Sequence, residues 1–165
     1  MRIKKLAACS AAAAIAATFS SAAYAGTATT TFQVTATVAA NCSISATPVT
    51  FGSYAASAGN VDVTSTVSVN CSNGSGYNVG LNQGASVGAT TSARAMTGPA
   101  GGLLGYSLYS DSGRTTNWGN VVGTDTVTGT GSGSAQPLTV YARLPGSQFV
   151  TAGSYADTVT ATVTF

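Results

Sequence analysis

Residues 32–44 read FQVTATVAANCSI, and their pattern decides the fold. Every even position carries an apolar or small side chain, whereas the odd positions are mostly Thr, Gln, Asn and Ser. A period of two residues predicts a β-strand with one buried face. The thirteen residues of this stretch exceed the usual strand length of about five or six. The stretch is therefore either one long bent strand or two strands, the first ending near Val38 and the second beginning near Cys42.

Further strands are predicted along the chain, separated by turns rich in Gly, Ser and Asn. The candidates are residues 49–51, 61–71, 77–81, 103–109, 121–128, 138–144 and 155–165. Residues 84–102 have no sustained period, and we interpret them as a long connection or an excursion at the edge of a sheet. Regularly spaced short strands with Gly-rich turns predict an all-β sandwich.

The final predicted strand has the clearest alternation. Its buried face is formed by Tyr155, Val159, Ala161, Val163 and Phe165. Asp157 is the single polar exception on that face, and Thr occupies alternate positions on the other. We expect the apolar face to contribute to the core up to the last residue.

The first 25 residues are expected to be a signal peptide. They begin with Arg2, Lys4 and Lys5, continue with an apolar run over residues 6–19, and end in Ala23-Tyr24-Ala25, a cleavage motif with small residues. A retained membrane anchor is the alternative, but the run is shorter than the ~20 residues that span a bilayer. Cleavage leaves a chain that is exported and has no further membrane span.

The exported chain lacks the residues that most enzymes use. It contains no His, Glu or Lys, and its three Arg and four Asp give a net charge of −1. Such a surface has no electrostatic footprint for nucleic acid. General acid–base catalysis would rest on the four aspartates, which lie at turns and strand ends: Asp62, Asp111, Asp125 and Asp157. We expect a chain that is not an enzyme and has no cofactor.

Two cysteines remain after cleavage, Cys42 and Cys71. In an oxidising compartment they are expected to form a disulfide. A metal site is the rival interpretation, but two thiols without His are too few ligands for zinc. No metal site is therefore predicted.

Two other sets of residues have a functional and a structural interpretation. Tyr106, Tyr109 and Trp118 are candidates for a sugar-binding platform, but we favour a place in the core. Residues 129–134 are Gly-rich like a phosphate loop, yet they lack its Lys-Ser/Thr ending, so we interpret them as a hairpin tip.

These features resemble, in their order along the mature chain, the spore coat protein U family, which includes pilin subunits of archaic chaperone–usher (Csu-type) pili. The matching segments are FQVTATV at residues 32–38, CSI at 42–44, VTFG at 49–52, VSVNC at 67–71, YSLYSD at 106–111 with Arg114-Thr115, GSYADTV at 153–159 and VTF at 163–165. Their order and spacing carry the resemblance, since each segment alone is short.

The resemblance implies an immunoglobulin-like sandwich that lacks one strand and is completed by donor-strand exchange. Residues 26–40 would be the N-terminal donor segment, with residues 29–38 as its strand, and residues 41–165 the pilin domain. Phe32, Val34, Ala36 and Val38 would then enter a groove in another copy. Burying the three larger side chains would contribute about 5–9 kcal/mol per junction before ordering costs. Tyr155, Val159, Ala161, Val163 and Phe165 would belong to the strand beside that groove.

The function implied by the resemblance is a structural pilin for attachment and biofilm formation. Its partners would be other copies of itself, a periplasmic chaperone, an outer-membrane usher and other pilus subunits, and it would reach the cell surface through the periplasm. Two alternatives remain open, a spore-coat structural protein and a secreted monomeric module that binds carbohydrate.

Overall fold

The computed structural model describes residues 24–165. The predicted signal peptide lies outside these residues except for its last two. The chain divides at residue 36. Up to that point the described residues, 24–36, are exposed and have no regular secondary structure. The second unit, residues 37–165, contains eight strands and one short 3₁₀ turn among the described residues.

The strands of this second unit form two sheets. They are β1 (Cys42–Ala46), β2 (Val61–Cys71), β3 (Gly76–Leu81), β4 (Arg94–Thr97), β5 (Leu103–Tyr109), β6 (Val127–Thr130), β7 (Gln136–Leu144) and β8 (Ala161–Thr164). The first sheet has the order β1-β2-β7-β5-β4 and the second β6-β3-β8. Every pairing between these strands is antiparallel. The all-β sandwich is confirmed.

The core lies between the sheets and is built by alternation. In β2 the side chains of Val67, Val69 and Cys71 are buried, whereas their neighbours in the strand are exposed or half-buried. β5 follows the same rule with Leu104, Tyr106 and Leu108. A single large side chain, Trp118, fills the centre and is fully buried. Its indole N–H donates to the carbonyl of Val79 at 2.8 Å, which satisfies its one polar group.

Several predicted elements differ from the structure. Residues 49–51 are not a strand, and of residues 121–128 only the last two belong to one, β6. The strand predicted over 155–165 is reduced to β8, and Phe165 after it is 56% exposed. Residues 84–102, interpreted as a long connection or an excursion at the edge of a sheet, contain β4, which is an edge strand of the first sheet. Among the described residues no helix is long and apolar enough to cross a membrane.

The interpretation of the three aromatic residues as core is confirmed for two of them. Trp118 is fully buried and Tyr106 is 6% exposed, so neither is available to a sugar. Tyr109 is half-buried and lies opposite Tyr141 in the β5–β7 ladder. Tyr106, Tyr109 and Trp118 therefore do not form a sugar-binding platform. Tyr106 and Tyr109 are three residues apart in β5, so their side chains point to opposite faces of the sheet.

Candidate functional site

A groove of about 1030 Å³ lies between the two sheets of the second unit. Two segments without regular secondary structure border it. We call residues 46–54 the first lip and residues 148–159 the second lip. Apolar side chains from both lips face the groove: Val49, Phe51 and Tyr54 from the first, and Val150, Tyr155 and Val159 from the second.

The floor of the groove belongs to the core. Six buried core residues reach it from the first sheet and one from the second: Val67, Leu104, Tyr106, Leu108, Val140 and Leu144 from the first, and Leu81 from the second. Phe51 of the first lip packs against Tyr106 with ring centroids 6.3 Å apart. The groove is thus an opening into the core itself, and its occupant would complete that core.

One border of the groove is the free edge of β8. In the ladder with β3, the N–H of Asn82 donates to the carbonyl of Thr160 at 3.0 Å. Hydrogen-bonded pairs alternate in an antiparallel ladder, so Thr162 and Thr164 also direct their backbone groups to β3. Ala161 and Val163 direct theirs to the opposite side, where β8 has no strand partner within residues 24–165.

The other border continues from the free edge of β1. Bonds from the N–H of Thr47 to the carbonyl of Thr66 and from the N–H of Ser72 to the carbonyl of Asn41 fix the alternation there. Cys42, Ile44 and Ala46 therefore direct their backbone groups away from β2, and the described chain supplies no strand to receive them. Two open edges beside one apolar groove are what an added strand would satisfy.

Cys42 and Cys71 form a disulfide, as predicted. The two residues are directly opposite each other in the β1–β2 ladder, and Cys71 is buried. The disulfide therefore ties the edge strand β1, which has only one strand neighbour in the described chain, to the interior strand β2.

Asp157, the polar exception on the apolar face of the last predicted strand, has a specific environment at the groove. Its carboxylate accepts a hydrogen bond from the Tyr106 hydroxyl at 2.7 Å and another from the N–H of Ala85 at 2.7 Å. Burial and the neighbouring Asp157 raise the pKa of Tyr106, which therefore stays protonated as the donor. This pair attaches the second lip to β5 and to the loop after β3.

Arg94 lies opposite Tyr106 in the β4–β5 ladder and is a buried charged residue, only 1% exposed. Its guanidinium donates to four backbone carbonyls, those of Leu81, Asn82, Thr91 and Trp118, at 2.6–2.8 Å. Burial lowers the pKa of Arg94. The sequence analysis missed this role, because nothing in the unpatterned stretch 84–102 distinguishes Arg94 from an exposed arginine.

The predicted site residues fall into two groups. Tyr155, Val159 and Ala161 line the groove, and Val163 packs against the core beside it, whereas Phe165 lies beyond the end of β8 and is exposed. The predicted donor residues are in neither sheet: Phe32, Val34 and Val38 are 83%, 83% and 89% exposed, and Ala36 is exposed as well. Within the described residues, no cluster of three or more potential metal ligands exists.

Known proteins resemble this chain over different lengths. A 62-residue part is 45% identical to "Protein U" of Myxococcus xanthus, which covers 38% of this chain and 34% of that protein. A solved structure is similar with a TM-score of 0.59 and 27% identity. It is the structure of the CsuC-CsuE chaperone-tip adhesion subunit pre-assembly complex from archaic chaperone-usher Csu pili of Acinetobacter baumannii, and the match covers 78% of this chain.

In both cases the match spans less than half of the other protein's length, 34% and 41%. The profile of the Spore Coat Protein U domain, by contrast, matches this chain from residue 28 to residue 162, which includes β1 to β7 and both lips of the groove. The chain therefore belongs to the Spore Coat Protein U domain family.

Proposed function

We propose that this chain is a structural subunit of a chaperone–usher type fibre, in which residues 29–38 of one copy fill the groove of the next. The observation that carries the proposal is the groove with two open strand edges. The chain also has an alternating apolar segment, around Phe32 and Val38, that is exposed. A strand added between the edges would satisfy their backbone groups while its alternate side chains enter the core.

The similarity to a chaperone–subunit complex supports a two-step use of the groove. A periplasmic chaperone occupies the groove first, because an open apolar groove exposes the core to aggregation. At an outer-membrane usher, the donor segment of the next copy replaces the chaperone. The expected signal peptide directs the chain into this route, and the fibre serves surface attachment and biofilm formation.

Deletion of residues 26–38 tests the donor role. The truncated chain keeps its groove, so it is expected to bind the chaperone and to cap a fibre, but not to donate to another copy. Co-expression with the chaperone and usher of the same gene cluster, followed by electron microscopy of surface fibres, provides the measurement. Fibres of normal length from the truncated chain alone would refute the proposal.

A matched pair of variants tests the predicted face of the donor strand. Phe32→Asp with Val34→Asp places charges on the side chains expected to be buried, and this change is expected to abolish assembly because unpaired charges in a core are costly. Gln33→Asp with Thr35→Asp adds the same charges on the opposite face and is expected to leave assembly largely intact. Equal effects of the two pairs would contradict the proposed strand face.

A coat function is a second candidate, favoured by the family's description and by the similarity to "Protein U". The same strand exchange would then build a layer on a cell or spore instead of a fibre. Immunogold labelling separates the two, since a pilin is found along filaments and a coat protein over the whole surface.

A further inference from the structure

The two lips of the groove are joined by hydrogen bonds at one end. The hydroxyl of Tyr54 donates to the carbonyl of Pro145 at 3.1 Å and accepts from the N–H of Gln148 at 2.9 Å. A backbone bond of 3.1 Å from Ser147 to Ala56 lies beside it. We call these contacts the crossbridge. Tyr54 ends the first lip and Gln148 begins the second, so the crossbridge fixes one lip to the other.

Gln148 also connects the crossbridge to the first sheet. Its carboxamide accepts from the N–H of Gly105 at 2.8 Å and donates to the carbonyl of Gly105 at 2.9 Å. By the β5–β7 register, the residue opposite Gly105 is Pro145, one beyond the end of β7. Proline has no N–H to donate, so the side chain of Gln148 replaces the missing peptide group and also donates to the carbonyl of Pro145 at 3.0 Å.

Elsewhere the lips have few fixed points. Neither lip contains a strand, apart from Ala46 at the end of β1. The second lip has a single isolated bridge, between Thr97 and Ala156, and the carboxylate contacts of Asp157. The width of the empty groove at the Tyr54 end therefore depends on the crossbridge.

We propose that Tyr54 and Gln148 are positioning residues, which hold the empty groove at the width of an incoming strand. The inference rests on the proposed function, since it assumes that a strand enters the groove. If the lips are in the open arrangement only part of the time, the apparent affinity for the strand falls in proportion to that fraction. The association rate then falls by the same factor, whereas the dissociation rate stays the same, because the bound strand itself holds the lips apart.

The experiment measures both rates on the full chain. Phe32→Asp and Val34→Asp are included in every version so that its own donor segment is disabled. A fluorescently labelled peptide of residues 29–40 is the probe, and stopped-flow anisotropy gives association and dissociation rates. Tyr54→Phe keeps the ring but removes both hydroxyl bonds, and Gln148→Ala removes the carboxamide. Tyr109→Phe, which removes a tyrosine hydroxyl outside the groove, is the matched control.

We expect Tyr54→Phe, which removes two partly buried hydrogen bonds, and Gln148→Ala, which removes three, each to lower the association rate about ten-fold. The dissociation rate is expected to stay within about two-fold in both variants. Tyr109→Phe is expected to change neither the association rate nor the dissociation rate. An unchanged association rate in both variants, or a change confined to dissociation, would overturn the positioning role. A peptide that fails to bind even with Tyr54 and Gln148 intact would instead refute the proposed function.

Discussion

The buried Arg94 shows how one residue can set the geometry of several segments. Its guanidinium donates hydrogen bonds to the carbonyl at the end of β3, to a carbonyl in the following loop and to the carbonyl of the core residue Trp118. A guanidinium has five donors in a fixed plane, so it can satisfy several orphaned carbonyls at once. Without it, these carbonyls would be buried without partners, which is the costly state for a polar group.

We expect Arg94→Met to destabilise the fold by about 3–5 kcal/mol, because several buried carbonyls lose a charged donor while the apolar volume is roughly kept. Arg143→Met is the matched control. Arg143 pairs with Asp62 at 2.8 Å on the exposed face of the sheet, where solvent screening leaves an ion pair little effect on stability. Urea unfolding at low protein concentration, followed by circular dichroism, measures both, and equal losses would contradict the role of Arg94.

Asp111 gives a prediction about pH. Its carboxylate accepts bonds from the N–H of Thr116 and of Thr115, and these bonds lower the pKa of Asp111 below its ordinary value. They hold the turn in which Arg114 has a left-handed backbone with φ of 55°. A lowered pKa means that the folded state binds fewer protons, so the stabilisation is complete above about pH 5 and is lost as the pH falls through the folded pKa.

Asp111→Asn is therefore expected to lower the thermal midpoint at pH 7 and to remove part of the decline between pH 5 and pH 2. Asp62 has a lowered pKa for a different reason, its bond to Arg143, and serves as the comparison through Asp62→Asn. Calorimetry across this range makes the measurement. An Asp111→Asn protein whose acid dependence matches that of the unmodified chain would show that these bonds contribute nothing.

At the scale of strands, the sequence predicts an element well where the element has neighbours on both sides. The alternation of β2 and β5 predicts their bounds, 61–71 and 103–109, as the structure has them. Residues 49–51 and 155–160 alternate equally well but are not strands. Alternation reports that one face is buried, whereas a strand also needs a backbone partner. Both segments border the groove, where that partner is absent from the described chain.

The edge strand β1 depends on its disulfide. It pairs only with β2 in the described chain, and the disulfide closes a loop between residues 29 positions apart. The loop-entropy estimate for such a length is about 3–4 kcal/mol. We expect Cys42→Ala with Cys71→Ala to lower the unfolding free energy by about this amount, with the transition monitored by urea titration.

A reductant provides the control for this loss. Dithiothreitol is expected to shift the unmodified chain toward the midpoint of the double variant and to leave the double variant unchanged. If reduction and substitution both leave the midpoint where it was, the disulfide does not stabilise β1.

At the scale of the whole molecule, the candidate site could not be predicted from the sequence pattern alone. The resemblance to a known family was needed to relate residues 29–38 to a groove. Periodicity predicts that Phe32, Val34 and Val38 are buried, yet all three are exposed. Neither sheet includes the segment that contains them. The lining residues Val159 and Ala161 follow from the last alternation, but Tyr54 and Gln148 do not. Their roles depend on hydrogen bonds between residues more than 90 positions apart, which no local pattern encodes.

The open groove leads to a prediction for the free subunit. Apolar core surface that reaches an open groove should bind the dye ANS, as partly open cores do. The full chain with its own donor disabled by Phe32→Asp and Val34→Asp is expected to bind ANS and to lose that signal when a peptide of residues 29–40 is added. At a free peptide concentration 100 times the dissociation constant, the added stability is about 2.7 kcal/mol, which raises the thermal midpoint by roughly 10 °C.

The control is a peptide that itself carries Asp at the positions of Phe32 and Val34. It is expected neither to remove the ANS signal nor to raise the thermal midpoint. If the active and control peptides behave alike, the groove does not accept this segment, and the exposed residues 29–38 must serve another purpose.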